Sequence, residues 1–248
     1  MSNYDIFAFY YDSLTQNVDY AGRADYIAEI IRRRGHNAGI TLDLACGTGS
    51  LTLELYKRGF DVYGIDSSMT MLSVAKDKSY DEDADILYLC QKMQNLDLYG
   101  TVNTVICALD SINHLDTVAQ IQAAFDKVSF FMDPDGLFIF DFNSEYKHRE
   151  ILGDNVFIYD TNDVYCVWKN RLNPSTLRVD ISLDFFGKVE KHYERSSERF
   201  SEITLPQNKV VEMLQKAGFC DIEVFDDLSF EKPTETSQRL VFVAKKKS

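Results

Sequence analysis

The sequence predicts an α/β protein: a doubly wound, mostly parallel sheet with an antiparallel β meander inserted late in the chain. Three observations predict it. Residues 40–143 alternate short strands with helices. Those strands are nearly continuous apolar runs, as in sheets covered on both faces. From about residue 144 the pattern switches to period-two alternation without a clear helix, which marks half-buried antiparallel strands.

Taken in order, residues 17–34 read as an amphipathic helix, with Tyr20, Ala24, Ile27, Ile30 and Ile31 on one face and Gly35 as its stop. "GITLDLA" is a strand, 49–58 a helix ending at Gly59, "FDVYGID" a strand and "SMTMLSVAKDK" a helix. "ADILYLCQ" and "VNTVICAL" are strands, and "DTVAQIQAAFDKVSFFM" is a helix with Asp116 as its expected N-cap. "PDGLFIFDFN" is a turn and a strand. Residues 144–205 form the meander, with turns near Asn162-Asp163 and Asn173-Pro174. A helix at 206–217 and two strands close the chain, so the domain is 1–143 plus 206–248 with the meander as a cap or interface.

The chain of 248 residues is 45% hydrophobic and 26% charged, which suits a globular protein with a sizeable core. A formal net charge of -13 speaks against nucleic acid, whose binding is driven by Lys and Arg neutralising phosphates. The expectation is no nucleic-acid partner and an acidity that serves solubility. Lys245, Lys246 and Lys247 are expected to form a solvated tail. Cys46, Cys90, Cys107, Cys166 and Cys220 form no CxxC pair, against both zinc and a disulfide framework. "MSNYDIFAFYYDSL" lacks a leader pattern and no apolar run is long enough to cross a bilayer. The expected location is the cytoplasm, with no membrane partner.

"TLDLACGTGS" at residues 41–50 carries the chemistry. Parallel α/β sheets bind ligands outside the carboxyl ends of their strands, and this turn leaves the first strand there. Gly47 and Gly49 let a ligand approach the backbone. Asp66 ends the second strand about 20 residues on, where a carboxylate can grip both hydroxyls of a ribose. The dinucleotide spacing G-x-G-x-x-G/A, counted from Gly47, puts Thr52 at its third small position and fails there.

With "GIDSSMTML" following, the stretch resembles motif I and the acidic loop of class I S-adenosylmethionine-dependent methyltransferases. Ala45 stands where that family often has glycine. The closing strands "FCDIEVFDDL" and "RLVFVAKKK" are similar to the family's last pair, the final one antiparallel in a seven-stranded Rossmann-like sheet. "YYDSLTQNVDYAGRADYIAEIIR" and "DSINHL" resemble the branch of bacterial small-molecule N-methyltransferases acting on aminosugars, together with uncharacterised relatives.

The resemblance implies S-adenosylmethionine as cofactor and S-adenosylhomocysteine as product. Ala45 to Gly49 would contact the methionine portion, Asp43 and the Leu109 carbonyl its ammonium, and Ser67 and Met71 the adenine. Tyr11 would close a lid over the site and Tyr20 would contact the methionine end. Close relatives carry an acid for the adenine amino group where this chain has Lys92, and lysine accepts no hydrogen bond. The contact then shifts to Gln91, to the Met93 backbone or to water, or affinity drops.

Methyl transfer is a direct displacement, so orientation and a closed site matter most, and an amine acceptor must be neutral, so a base or a desolvating pocket assists. His114 is the expected base, with Asp110 and Asn113 orienting the acceptor or serving only as loop residues. Trp168, Tyr193, Glu194 and Arg195 either line the acceptor pocket or form a homodimer face. The reading is a methyltransferase for a small-molecule acceptor, most plausibly an amine. The alternatives are a nicotinamide-dependent oxidoreductase, which lacks both its third glycine and a Tyr-x-x-x-Lys pair, and a cofactor-binding protein without catalysis, suggested only by Lys92.

Overall fold

The computed structural model describes residues 5–190 and 192–248, with residues 5–7 described by backbone alone. The first four residues of the stretch read as leader-free therefore lie outside the described residues. A seven-stranded sheet forms the centre. In chain order its strands are β1 (Ile40–Leu44), β2 (Asp61–Asp66), β3 (Tyr88–Cys90), β4 (Val102–Cys107), β5 (Met132–Asn143), β10 (Phe219–Asp226) and β11 (Arg239–Lys246). Their spatial order is β10-β11-β5-β4-β1-β2-β3, and only β11 runs antiparallel to its neighbours.

Alternation along the strands supplies two cores. Leu42, Leu44, Val105, Phe138, Phe140 and Phe242 face one side, with Phe125 and Val128 of α5 (Val118–Phe131) and Val210 and Leu214 of α6 (Gln207–Lys216). Ile106, Leu137, Ile139, Val241 and Val243 face the other, under α2 (Tyr20–Arg33) and α3 (Ser50–Lys57). Helix α4 (Met69–Asp81) packs on β2 and β3, and α1 (Asp5–Leu14) packs on α4.

Several local expectations change. The first helix starts at Tyr20, because the Asp19 side chain accepts from Gly22 N and caps it. The strand expected over 84–91 shrinks to Tyr88–Cys90 at the sheet edge. Thr117, not Asp116, caps α5: its backbone is extended and its hydroxyl accepts from Gln120 N. The lysines at 245 and 246 are no free tail. They lie in β11, where Lys245 pairs with Asp135 at 2.8 Å and Lys246 Nζ donates to the Ser129 carbonyl at 2.6 Å.

The segment from 144 opens with one π-helical turn, Lys147–Leu152, where no helix was expected. A second sheet follows in the order β6 (Val156–Asp160), β7 (Val164–Leu172), β8 (Val179–Val189), β9 (His192–Glu202), all antiparallel. Its inner face buries Val164, Cys166, Val179, Ile181, Leu183 and Phe185, with Tyr10 and Leu14 of α1 packed against them.

Asn113 stitches this second sheet to the first. It is fully buried; its Nδ2 donates to the Ile203 carbonyl at 2.8 Å and its Oδ1 accepts from Asn143 N at 2.9 Å. Neither end of its amide is left for a substrate, which corrects the expectation that Asn113 orients the acceptor. Asn113→Ala strands two buried backbone groups and is expected to cost about 2–4 kcal/mol of stability, measured by urea unfolding.

Candidate active site

The turn after β1 is built from left-handed backbone. Ala45, Gly47 and Gly49 have φ of 62°, 54° and 72°. At Gly49 a Cβ would sit 2.8 Å from both the Ala75 Cβ and the Tyr88 hydroxyl, so only glycine fits. At Gly47 a Cβ would meet nothing within 4 Å and would project into open space. Asp66 clasps the turn: its Oδ2 accepts from Gly47 N at 2.9 Å and its Oδ1 from Ser68 N at 2.8 Å. Ser67 N adds a third backbone donor, which still leaves the carboxylate acceptor capacity for a ligand hydroxyl.

The loop after β4 forms the facing wall. Leu109 and Asp110 have φ of 57° and 53°, a conformation that costs a non-glycine residue about 1–2 kcal/mol. Asp141 of β5, 2% exposed, holds both by accepting Leu109 N at 2.7 Å and Asp110 N. Arg239 bridges Asp141 and Asp110, each at 2.8 Å. Burial alone would raise the Asp110 carboxyl, but Arg239, with Lys147 and His114, holds it well below the usual carboxylate range.

Between these walls lies a cavity of ≈ 1080 Å³. Tyr11, Ala45, Gly47, Asp66, Ser67, Met71, Lys92, Met93, Leu109 and His114 line it, so the structure brings these ten expected residues together. Tyr20, Asp43, Gly49, Asp110 and Asn113 do not line it. Asp43 is 2% exposed and accepts from the Thr52 hydroxyl at 2.6 Å. Asp110 is spent on Arg239 and on Asn143 Nδ2. Trp168, Tyr193, Glu194 and Arg195 are also outside the lining; Trp168 donates to Asn170 at 2.5 Å, and Arg195 pairs with Asp184 at 2.8 Å.

Helix α1 covers the site and is latched to the glycine turn. Asp12 accepts from the Thr48 hydroxyl at 2.8 Å and pairs with Lys78 at 2.6 Å. The Tyr11 and Tyr20 hydroxyls are hydrogen-bonded to each other, and burial pushes both phenols up. Tyr11 is thus a neutral hydroxyl at the cavity wall at ordinary pH. Opposite, the Gln91 amide is taken by both backbone groups of Asp97, each at 2.9 Å. Of the substitutes considered for Lys92, its side chain is therefore the one already engaged.

Comparison with known proteins fits this geometry. Residues 41–136 match the family model described as a methyltransferase domain. The methyltransferase homologue YqeM of Bacillus subtilis (strain 168) is 32% identical over 244 residues, 98% of this chain and 97% of the relative. The crystal structure of an S-adenosylmethionine-dependent methyltransferase from Clostridium acetobutylicum superposes with a TM-score of 0.89 at 30% identity, covering 99% of each chain. The chain belongs to the S-adenosylmethionine-dependent methyltransferases. A more partial relative is a Streptomyces fradiae dTDP-3-amino-3,6-dideoxy-alpha-D-glucopyranose N,N-dimethyltransferase, 30% identical over 121 residues, 49% of this methyltransferase and 46% of the relative.

The residues present fit the cofactor. The open space over Gly47 accepts a ligand against bare backbone, and Asp66 stands at the end of β2 with unspent lone pairs. Sequence reasoning missed three parts of this methyltransferase: the Asp12–Thr48–Lys78 latch, the Asp141 clasp, and the cavity-lining Lys169, Arg171 and Arg199. Only the last left a local signal, basic residues on alternate positions of a predicted strand.

Two outcomes follow from these contacts. Asp12→Ala removes a half-exposed latch worth about 0.2–1 kcal/mol, so S-adenosylhomocysteine affinity by calorimetry is expected to fall about two- to fivefold. Burial pushes the Asp43 carboxyl up to about 7 from 3.8. Between those pH values the fold keeps a proton that the unfolded chain releases, so stability falls as pH rises and levels off above about 7. Asp43→Asn is expected to flatten that fall and to raise the melting temperature at pH 8 by about 2–8 °C, read by calorimetry across the pH range.

Proposed function

We propose that this methyltransferase transfers its methyl group to a small-molecule amine that also bears an acidic group, a phosphate or a carboxylate. One observation carries the reading: His114 and the cations Lys169, Arg171 and Arg199 line the same cavity in a protein of net charge -13. Among the described residues, Lys169, Arg171 and Arg199 form none of the close ion pairs of this sheet, which include Arg178–Asp180, His192–Glu194 and Arg195–Asp184, although the charge of Arg199 is felt at Asp184. The register sets Lys169 beside Ser182 and Ser182 beside Arg199. At about 4.8 Å between strands, the backbone positions of the two cations stand about 10 Å apart with Ser182 between them. The partial relative's name supports the same chemistry, an amine on a dTDP-linked sugar.

When bound, S-adenosylmethionine supplies a methyl group activated on a sulfonium sulfur. The chain's own residues do the rest. The backbone of Ala45 to Gly49 would hold the amino-acid end, the Leu109 carbonyl would accept from its ammonium, and Asp66 would accept from the ribose hydroxyls. Ser67 and Met71 would pack on adenine. Tyr11 and α1 exclude water. His114 takes the proton that the amine must lose.

The test is incubation with methyl-labelled S-adenosylmethionine and matched amines with and without a phosphate or carboxylate. Label is expected on nitrogen of the acidic amines. The double variant Lys169→Ala/Arg199→Ala is expected to raise KM about 10- to 100-fold with kcat little changed. Preference for neutral amines, or label on oxygen, would overturn the reading.

A further inference from the structure

Glu202, at the end of β9, is a buried acid that the cavity wall does not use. Its side chain is 2% exposed. Oε1 lies 3.9 Å from His114 Nε2; Oε2 accepts from Asn143 Nδ2 at 3.0 Å and lies 3.6 Å from His148 Nε2. A buried carboxylate is costly unless charges or donors compensate it. His148 is itself fully buried, with Nδ1 2.7 Å from the Leu177 carbonyl, so Nδ1 bears a proton and donates. Among the described residues its Nε2 has no hydrogen-bond partner, and it faces Glu202. The carboxylate thus has imidazole nitrogens on both arms.

Asp110, His114 and Glu202 offer donor atoms within 4.8 Å of one another. A metal ion is not the better occupant, because Arg239 already neutralises Asp110 at 2.8 Å and Lys147 adds a second cation beside it. Among the described residues, the charges that face His114 include Asp66 from β2, Asp110 from its own loop and Glu202 from β9, with Lys147, His148 and Arg239 behind them. The Phe200 ring packs against the imidazole from the β9 side, 5.1 Å away and inclined at 38° to it.

We propose that Glu202 is a positioning residue for His114: it accepts the Nε2–H, fixes the tautomer, and leaves Nδ1 as the basic atom that serves the acceptor. The inference rests on the reading of His114 as proton acceptor. The 3.9 Å separation closes with a small ring tilt, as catalytic hydrogen bonds do when a site fills. The proton lost by the amine passes to Nδ1, the imidazolium is stabilised by Glu202, which stays a carboxylate, and the proton then leaves to solvent.

The tautomer can be read without an acceptor. The chain has four histidines, so long-range 1H–15N spectra of histidine-labelled protein saturated with S-adenosylhomocysteine resolve each ring, and the His114→Gln spectrum assigns the signal. Wild-type protein is expected to show His114 protonated at Nε2. Glu202→Gln is expected to reverse this: Asn143 Nδ2 holds the new amide oxygen on its own arm, which turns the amide NH2 toward His114 and leaves the proton on Nδ1. A wild-type ring protonated at Nδ1, or a Glu202→Gln ring still protonated at Nε2, would overturn the proposal. If Glu202→Gln fails to fold, Glu202→Asp decides through its expected mixture of tautomers, an unchanged Nε2–H form counting against. Full methyl transfer by His114→Ala would instead overturn the reading of His114 as base while leaving the tautomer result standing.

Discussion

The site depends first on the Asp141 carboxylate. Its two oxygens take the N–H groups of Leu109 and Asp110, and without them two consecutive left-handed residues would relax. Leu109 lines the cavity, and the turn that follows carries His114 into it. Arg239 from β11 and Arg23 from α2 both reach Asp141. The strained loop is therefore held by charges on three separate elements, and strain of this kind persists only where its surroundings over-determine it.

The fold was legible in sequence wherever the signal was local. Apolar runs, helix periods and glycine stops are short-range, and they yield the parallel sheet; its antiparallel last strand came from the family resemblance of the closing pair. The glycine turn and Asp66 were legible for the same reason. Thr52, which broke the dinucleotide spacing, proves to donate to Asp43, so the position needs a hydroxyl and not a small apolar residue. What stayed hidden is long-range. Asp110 is paired 129 residues away with Arg239, and Asn113 is bonded 90 residues away to Ile203. Nothing beside them in the chain announces either partner, so both read as loop residues free to touch substrate. Glu202 likewise sits among polar strand residues, and only the packing of β9 on the His114 turn makes it a buried acid.

Electrostatics give the cavity its character. The protein as a whole is acidic, yet the cavity wall gathers Lys92, Lys169, Arg171, Arg178 and Arg199 against the acids Asp66, Asp116 and Asp180. Such a wall raises the local concentration of an acidic ligand and orients it. Lys92 accepts no hydrogen bond, and the Gln91 amide beside it is held by the Asp97 backbone.

The most direct test is a crystal structure of the complex with S-adenosylhomocysteine. It should show the ribose hydroxyls on Asp66, the amino-acid end over Ala45 to Gly49, and the sulfur facing an open acceptor space bounded by His114, Tyr11 and the cationic strands. A sulfur turned away from His114, or an acceptor space closed off from Lys169 and Arg199, would contradict the account.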